Sequence, residues 1–171
     1  YHEGIQEIAR VIESLRTPIL AVLKGGAVGA GADLACMCDL RIGGESCFFA
    51  ETFNSLALVP GDGGTFFLPR VVGYSKAMEL FLTGRKVDAR EAKEIGLLNY
   101  IFEDDLVWEK SRKIALDLSQ KPPVAVEMTK QALKNAYRTR DLEGNLNLLA
   151  AFQAITQKSK EHDLALERIK K

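Results

Sequence analysis

Two glycine-rich stretches gather the residues of this sequence that could do chemistry. The first runs from Gly25 to Asp33 and places Gly25, Gly26, Gly29 and Gly31 ahead of a carboxylate. A dinucleotide fingerprint needs Gly-x-Gly-x-x-Gly directly after a strand. The order here is Gly26-x-x-Gly29-x-Gly31, with no glycine at position 34, so that fingerprint fails. A P-loop needs Gly-Lys-Ser/Thr, which is absent. The remaining reading is a loop that opens a helix and turns free backbone N–H groups toward an oxyanion, since first-turn N–H groups lack helical acceptors and carry partial positive charge. The second stretch, Val59-Pro60-Gly61-Asp62-Gly63-Gly64, is a tight loop with a carboxylate at its centre. Each acid also has a purely structural explanation. Asp62 suits a helix N-cap, and the helix dipole favours Asp33 near a helix start. Glu51, a third carboxylate in this region, reads as structural. Arg70 and Lys76 read by default as solvated or helix-pairing cations, with a phosphate contact as the alternative.

Composition narrows the function classes. The chain has 171 residues, is 47% hydrophobic and carries 23 basic against 23 acidic side chains. That suits one domain, or one domain with a helical appendage. A balanced charge with no basic–aromatic stripe argues against nucleic acid and against an anionic membrane surface. No apolar run approaches the ~18–20 residues that span a bilayer, and no signal-peptide pattern begins at Tyr1. The three cysteines, Cys36, Cys38 and Cys47, are odd in number and form no Cys-x-x-Cys pair, so they read as buried reduced thiols. His2 and His162 are far apart and suggest neither a dyad nor a metal site.

The elements that must position these loops follow from periodicity. Ile5, Ile8, Ala9, Ile12 and Leu15 predict an amphipathic helix over about 3–16, stopped by Thr17-Pro18. It starts without a cap, as though the sequence began inside a larger protein. Ile19 to Leu23 predicts a strand buried on both faces. A glycine turn, a small-residue helix over Ala32–Met37, and strands over Asp39–Ile42 and Cys47–Ala50 come next. Helices are expected over Thr65–Val72, over Ser75–Leu82 and from Asp88, where Asp88 and Glu91 have capping-box spacing. Leu97–Phe102 predicts a last strand. After Asp104 the pattern is wholly helical, with stripes at Val107/Ser111/Ile114/Leu118, Ala125/Met128/Ala132/Ala136 and Leu142/Leu146/Leu149/Phe152, then a tail helix from Glu161 to Lys171. The expected division is 1–103 as an α/β core and 104–171 as a helical region that docks on a neighbouring layer or subunit. Trp108 is expected in the core or in an interface.

A longer series of motifs carries a family resemblance. It begins with Thr17-Pro18-Ile19-Leu20-Ala21-Val22, continues through Gly26 to Ala35, and reaches Cys38-Asp39-Leu40-Arg41. Phe49-Ala50-Glu51, Leu58-Val59-Pro60-Gly61, Gly63-Gly64-Thr65, Leu68 to Gly73, Ala77 to Leu80, Leu82-Thr83-Gly84, Ala89 to Ala92 and Gly96-Leu97 follow in order. The series resembles the crotonase superfamily of enoyl-CoA hydratases and isomerases over nearly the whole chain. The resemblance implies an α/β fold with a ββα spiral core and an all-helical C-terminal segment. It implies an acyl-CoA thioester substrate with no separate cofactor, coenzyme A being part of the substrate. A homotrimer or hexamer and a cytoplasmic location (the mitochondrial matrix in a eukaryote) are also implied. Family members carry a further upstream α/β section with a loop that supplies one oxyanion N–H and cradles the CoA. These residues lack that section. Loss of one such donor costs about 3–4 kcal/mol in the transition state, so the chain alone is expected to be nearly inactive.

By the same resemblance the second oxyanion N–H maps to Ala30, preceded by Gly29. The first catalytic glutamate of the hydratase branch maps to Asp33, which keeps the carboxylate but shortens its reach by about 1.5 Å. The second maps to Phe53, which carries no proton and lies on the substrate-binding side. Syn-hydration is therefore disfavoured, and Asp62 becomes the candidate base. With Phe53 drying the pocket and raising the Asp pKa, one carboxylate would suit double-bond isomerisation. The competing expectations are a non-catalytic acyl-CoA-binding protein, which Phe53 favours, and RNA binding, which the charge balance disfavours.

Overall fold

The computed structural model describes residues 3–169; Tyr1, His2 and the last two residues of the expected tail helix, Lys170 and Lys171, lie outside them. Helix α1 (Ile5–Ser14) is followed by β1 (Leu20–Leu23), β2 (Gly26–Val28) and α2 (Ala30–Met37). Strands β3 (Leu40–Gly44) and β4 (Phe48–Ala50) come next, then a 3-10 turn at Asn54–Leu56 and helices α3 (Gly64–Val72) and α4 (Tyr74–Thr83). The two-residue β5 (Val87–Asp88), α5 (Ala89–Glu94) and β6 (Tyr100–Phe102) close the α/β part. Four helices follow: α6 (Val107–Ser119), α7 (Pro123–Thr139), α8 (Leu142–Gln157) and α9 (Lys160–Ile169).

The strands form two sheets, β1-β3-β6 and β2-β4-β5. Successive β-β-α units each give one strand to each sheet. β1 pairs parallel with β3 in the register Leu20–Leu40, and β2 pairs parallel with β4 in the register Gly26–Phe48. This is the expected ββα spiral. Leu68, Leu97, Leu98, Val87, Phe49 and the small residues of α2 build its core. Each fully buried aliphatic side chain there is worth about 1.5–3 kcal/mol. Alanines at 32 and 35 let α2 lie close to α3. Arg41 is buried as well, and its guanidinium donates to the carbonyls of Leu97 and Cys38, both at 2.7 Å. The cost of its burial is met by those two charge-assisted bonds.

Several sequence expectations change here. Residues of β1 are half-buried and not sealed on both faces, because β1 is the outer strand of its sheet and borders an open groove. The glycine turn after it contains a real strand, β2, where Gly26 allows close approach: a Cβ there would strike the Phe48 ring. The isolated pair β5 and the 3-10 turn are too short to leave a periodic signal. Trp108 is 62% exposed, so the core reading for it does not hold. Half of the capping box forms: the Asp88 carboxylate accepts from the Glu91 N–H at 2.9 Å, while the Glu91 carboxylate pairs with Arg85.

Two compact units result. One holds the residues up to Leu15 with Ile19–Ala115, and the other holds Arg16–Pro18 with the residues from Leu116 onward. In the second unit Lys130 Nζ donates to the Thr17 carbonyl at 2.9 Å, which ties the short Arg16–Pro18 segment to α7. Helix α8 packs on α7 and on α9. Leu133, Tyr137, Leu142, Leu146 and Leu164 remain more than 40% exposed there.

Candidate active site

The turn into α2 is built on Gly29. Its backbone adopts φ 53°, ψ −120°, a region that favours glycine. A side chain at that position would also meet the Phe53 ring at 3.6 Å. The Gly29 N–H donates to the Ala50 carbonyl at 2.9 Å, and the Gly29 carbonyl accepts from the Asp33 N–H at 3.0 Å. The first bond pins the turn to β4, and the second closes the first helical turn. Ala30, Gly31 and Ala32 therefore open α2 with N–H groups that have no acceptor within the helix. No side chain caps this end, so those donors keep their attraction for an anionic oxygen. Gly29 itself is not such a donor, because its N–H is already used.

Asp33 lies at the end of this first turn and is completely buried. It faces the start of α3, where a methyl group in place of the Gly64 hydrogen would overlap the Asp33 carboxylate. Glu51 leaves the end of β4 and is 4% exposed; Asp62 precedes the N-cap Gly63 of α3 and is 3% exposed. No side chain caps α3, and Asp62 Oδ1 is buried without a hydrogen-bond partner. The capping role that Asp62 might have held is thus not the one it performs. Both oxygens of Asp33 and both of Glu51 also lack a conventional donor.

Three acids so placed act on one another. Burial pushes Asp33 up to about 6; the Gly64 N–H opposes this, the Asp62 charge adds to it, and the Glu51 carboxyl opposes it. Burial pushes Glu51 further, to about 8, reinforced by Asp33 and then Asp62. Low-dielectric surroundings disfavour several like charges at once, which is the direction of both shifts. Beside Glu51 is a cavity of about 10 Å³ lined by Cys36, Phe49, Leu80 and Arg85 among others, space for about one water. A separate open groove of about 600 Å³ runs along Ile12, β1, Gly25–Ala27, Gly31 and Leu34. Its volume is that of a small-molecule site, and it reaches the α2 start at Gly31, next to Ala30.

These features are those of a fold with many relatives. The sequence profile of the enoyl-CoA hydratase/isomerase family matches residues 1–169. The chain belongs to the enoyl-CoA hydratase/isomerase family. A putative enoyl-CoA hydratase/isomerase of Bacillus subtilis is 38% identical over 160 residues, 94% of this chain and 58% of the relative. The crystal structure of an enoyl-CoA hydratase from Bacillus anthracis superposes with a TM-score of 0.91 at 34% identity, covering 97% of this chain and 64% of that one. A putative enoyl-CoA hydratase from Thermobifida fusca, solved in complex with acetoacetyl-CoA, superposes with a TM-score of 0.84 at 30% identity, covering 88% of this chain and 59% of that one. The chain thus spans a little over half the length of these relatives.

Within this family member the structure brings Asp33 and Asp62 to the start of α3 and places the Phe53 ring beside Gly29. It places Ala30 at the first position of α2. The residue that sequence reading undervalued is Glu51. Its signal was a lone acid directly after the apolar run Phe48-Phe49-Ala50, where a strand end carries its side chain inward. Arg70 lies over the Phe66 ring at 3.5 Å, and Lys76 pairs with Glu79 at 2.7 Å. Both match the helix-pairing role expected of them. Among the described residues no group of three or more His, Cys, Asp or Glu is placed to hold a metal ion, and no helix is long and apolar enough to cross a membrane.

Proposed function

We propose that the protein is an acyl-CoA enzyme of the hydratase/isomerase type whose first-turn N–H groups in α2, Ala30 foremost, receive the thioester oxygen as it gains enolate character. Such donors act where charge develops in the transition state. The observation that carries this reading is the uncapped α2 start with buried carboxylates directly behind it whose oxygens lack hydrogen-bond partners. A family neighbour solved with acetoacetyl-CoA supports the substrate class. Asp33, pushed by burial up to about 6, is suited to general acid–base work beside those donors. Asp62 is the proposed base, and Phe53, standing where a second acid would serve hydration, favours double-bond migration.

The helical region from about residue 104 is proposed as the assembly part, forming a homotrimer or hexamer through its exposed apolar side chains. A second reading, an acyl-CoA-binding protein without turnover, is favoured by the burial of all three acids. The two are separated by assaying the full-length protein with a short enoyl-CoA. Double-bond migration supports the first reading. Saturable binding without conversion supports the second.

A further inference from the structure

We propose that Glu51 is a positioning residue for Asp33: the two acids hold one proton between them, with Glu51 as its owner and the Asp33 carboxylate as its acceptor. This rests on the reading above that Asp33 belongs to the reaction site. Asp33 and Glu51 leave different elements, α2 and the end of β4, yet Glu51 lines one small cavity with Ala32 and Cys36 of that same helix, and each carboxyl perturbs the other. All four of their oxygens are buried and none has a conventional donor. Two carboxylates are both acceptors, so they satisfy each other only when one is protonated. A single proton turns the most costly contact of the interior into a charge-assisted hydrogen bond.

Which acid owns the proton follows from the surroundings. Asp33 lies against Gly64 at the start of α3, whose N–H favours its charge without making a full hydrogen bond, and it sits in the first turn of α2, so two helix starts favour that charge. Glu51 lies at neither helix start. Its neighbours are the thiol of Cys36, the apolar side chains of Phe49, Leu68 and Leu97, and the negative charge of Asp62. The one cation bordering its cavity, Arg85, has its guanidinium occupied by Glu79 at 2.6 Å and Glu91 at 2.6 Å. Burial pushing Glu51 to about 8 and Asp33 to about 6 agrees with that order. The consequence is a fixed orientation of the Asp33 carboxylate between Glu51 and the start of α3.

Carboxyl-carbon NMR titration of selectively labelled Asp and Glu in this chain tests the proposal without substrate. In the unaltered chain Glu51 should titrate near pH 8 and Asp33 near pH 6. E51Q keeps a neutral hydrogen-bond donor, so the Asp33 midpoint should stay within about half a pH unit. E51L removes the donor, and the midpoint should rise by about one pH unit or more. A Glu51 that titrates in the ordinary carboxylate range, or an Asp33 midpoint that E51L leaves in place, would overturn the proposal. The unaltered chain alone decides the matter if E51L does not fold. Loss of the functional reading shows elsewhere, as full turnover in D33N, and leaves these titrations unchanged.

Discussion

At the residue scale, three buried acids dominate. Asp62 and Asp33 have different expected roles, and asparagine separates charge from shape at each. Asp62→Asn in the full-length enzyme should lower turnover by ~10²–10⁴, the usual size of a general-base contribution. Stability should change little, because Asp62 caps no helix. Full activity in Asp62→Asn together with loss in Asp33→Asn would move the base to Asp33 and remove the preference for isomerisation. The acids also set a pH dependence. The folded Asp33 and Glu51 hold protons to higher pH than the unfolded chain does, up to about 6 and about 8. Their contribution to stability is therefore complete below the ordinary carboxylate range and is lost as pH rises through 6 and then 8. Urea midpoints for the chain should fall between about pH 5 and pH 8.5, and Asp33→Asn should flatten that fall. A midpoint that rises over this range would contradict the placement of the proton in the pair.

At the element scale, two helix starts meet at one carboxylate, and glycine makes the approach possible. Gly64→Ala would press a methyl group into the Asp33 carboxylate. The expected cost is about 1–3 kcal/mol, as for other overpacked sites, read as a lower thermal or urea midpoint. In Asp33→Ala the same Gly64→Ala change should cost clearly less, since the obstructing group is gone. An equal cost in both backgrounds would place the strain elsewhere. The periodicity of α1, of α3 and of α6 to α9 was legible because each repeats its apolar face over at least two turns. β2 and β5 were not legible. Strands of two or three residues are held by the pairing of Gly26 with Phe48 and Phe49 with Val87, and local sequence does not encode a partner.

At the scale of the whole molecule, α6 to α9 leave several large apolar side chains exposed. Trp108, Leu133, Tyr137 and Leu142 are all at least 60% exposed, a pattern that marks an interaction surface. Sedimentation of the full-length protein should give a trimer or a dimer of trimers, and Leu133→Asp with Leu142→Asp should shift it toward smaller species. A stable monomer before any substitution would remove the assembly role from residues 104–171. Phe53, Gly29 and Ala30 also belong to this scale, because a 3-10 turn, a strand end and a helix start have to converge before the ring can cover the glycine.

The sequence by itself determined the family, and through that resemblance the ββα spiral; it also determined the helical C-terminal region and the two glycine-rich loops, because glycine, proline and apolar period act over short stretches of chain. It also determined that Asp33 and Asp62 stand beside candidate helix starts. Tertiary structure alone decided that Asp62 is not a cap, that the Gly29 N–H is taken by Ala50, and that β1 lies on an open sheet edge. It alone decided the place of Glu51. A lone glutamate after a strand is unremarkable until folding closes α2 and α3 over it, removes its water and leaves another acid as its neighbour. Burial and proximity across 18 residues of chain are properties of packing, and no local pattern carries them.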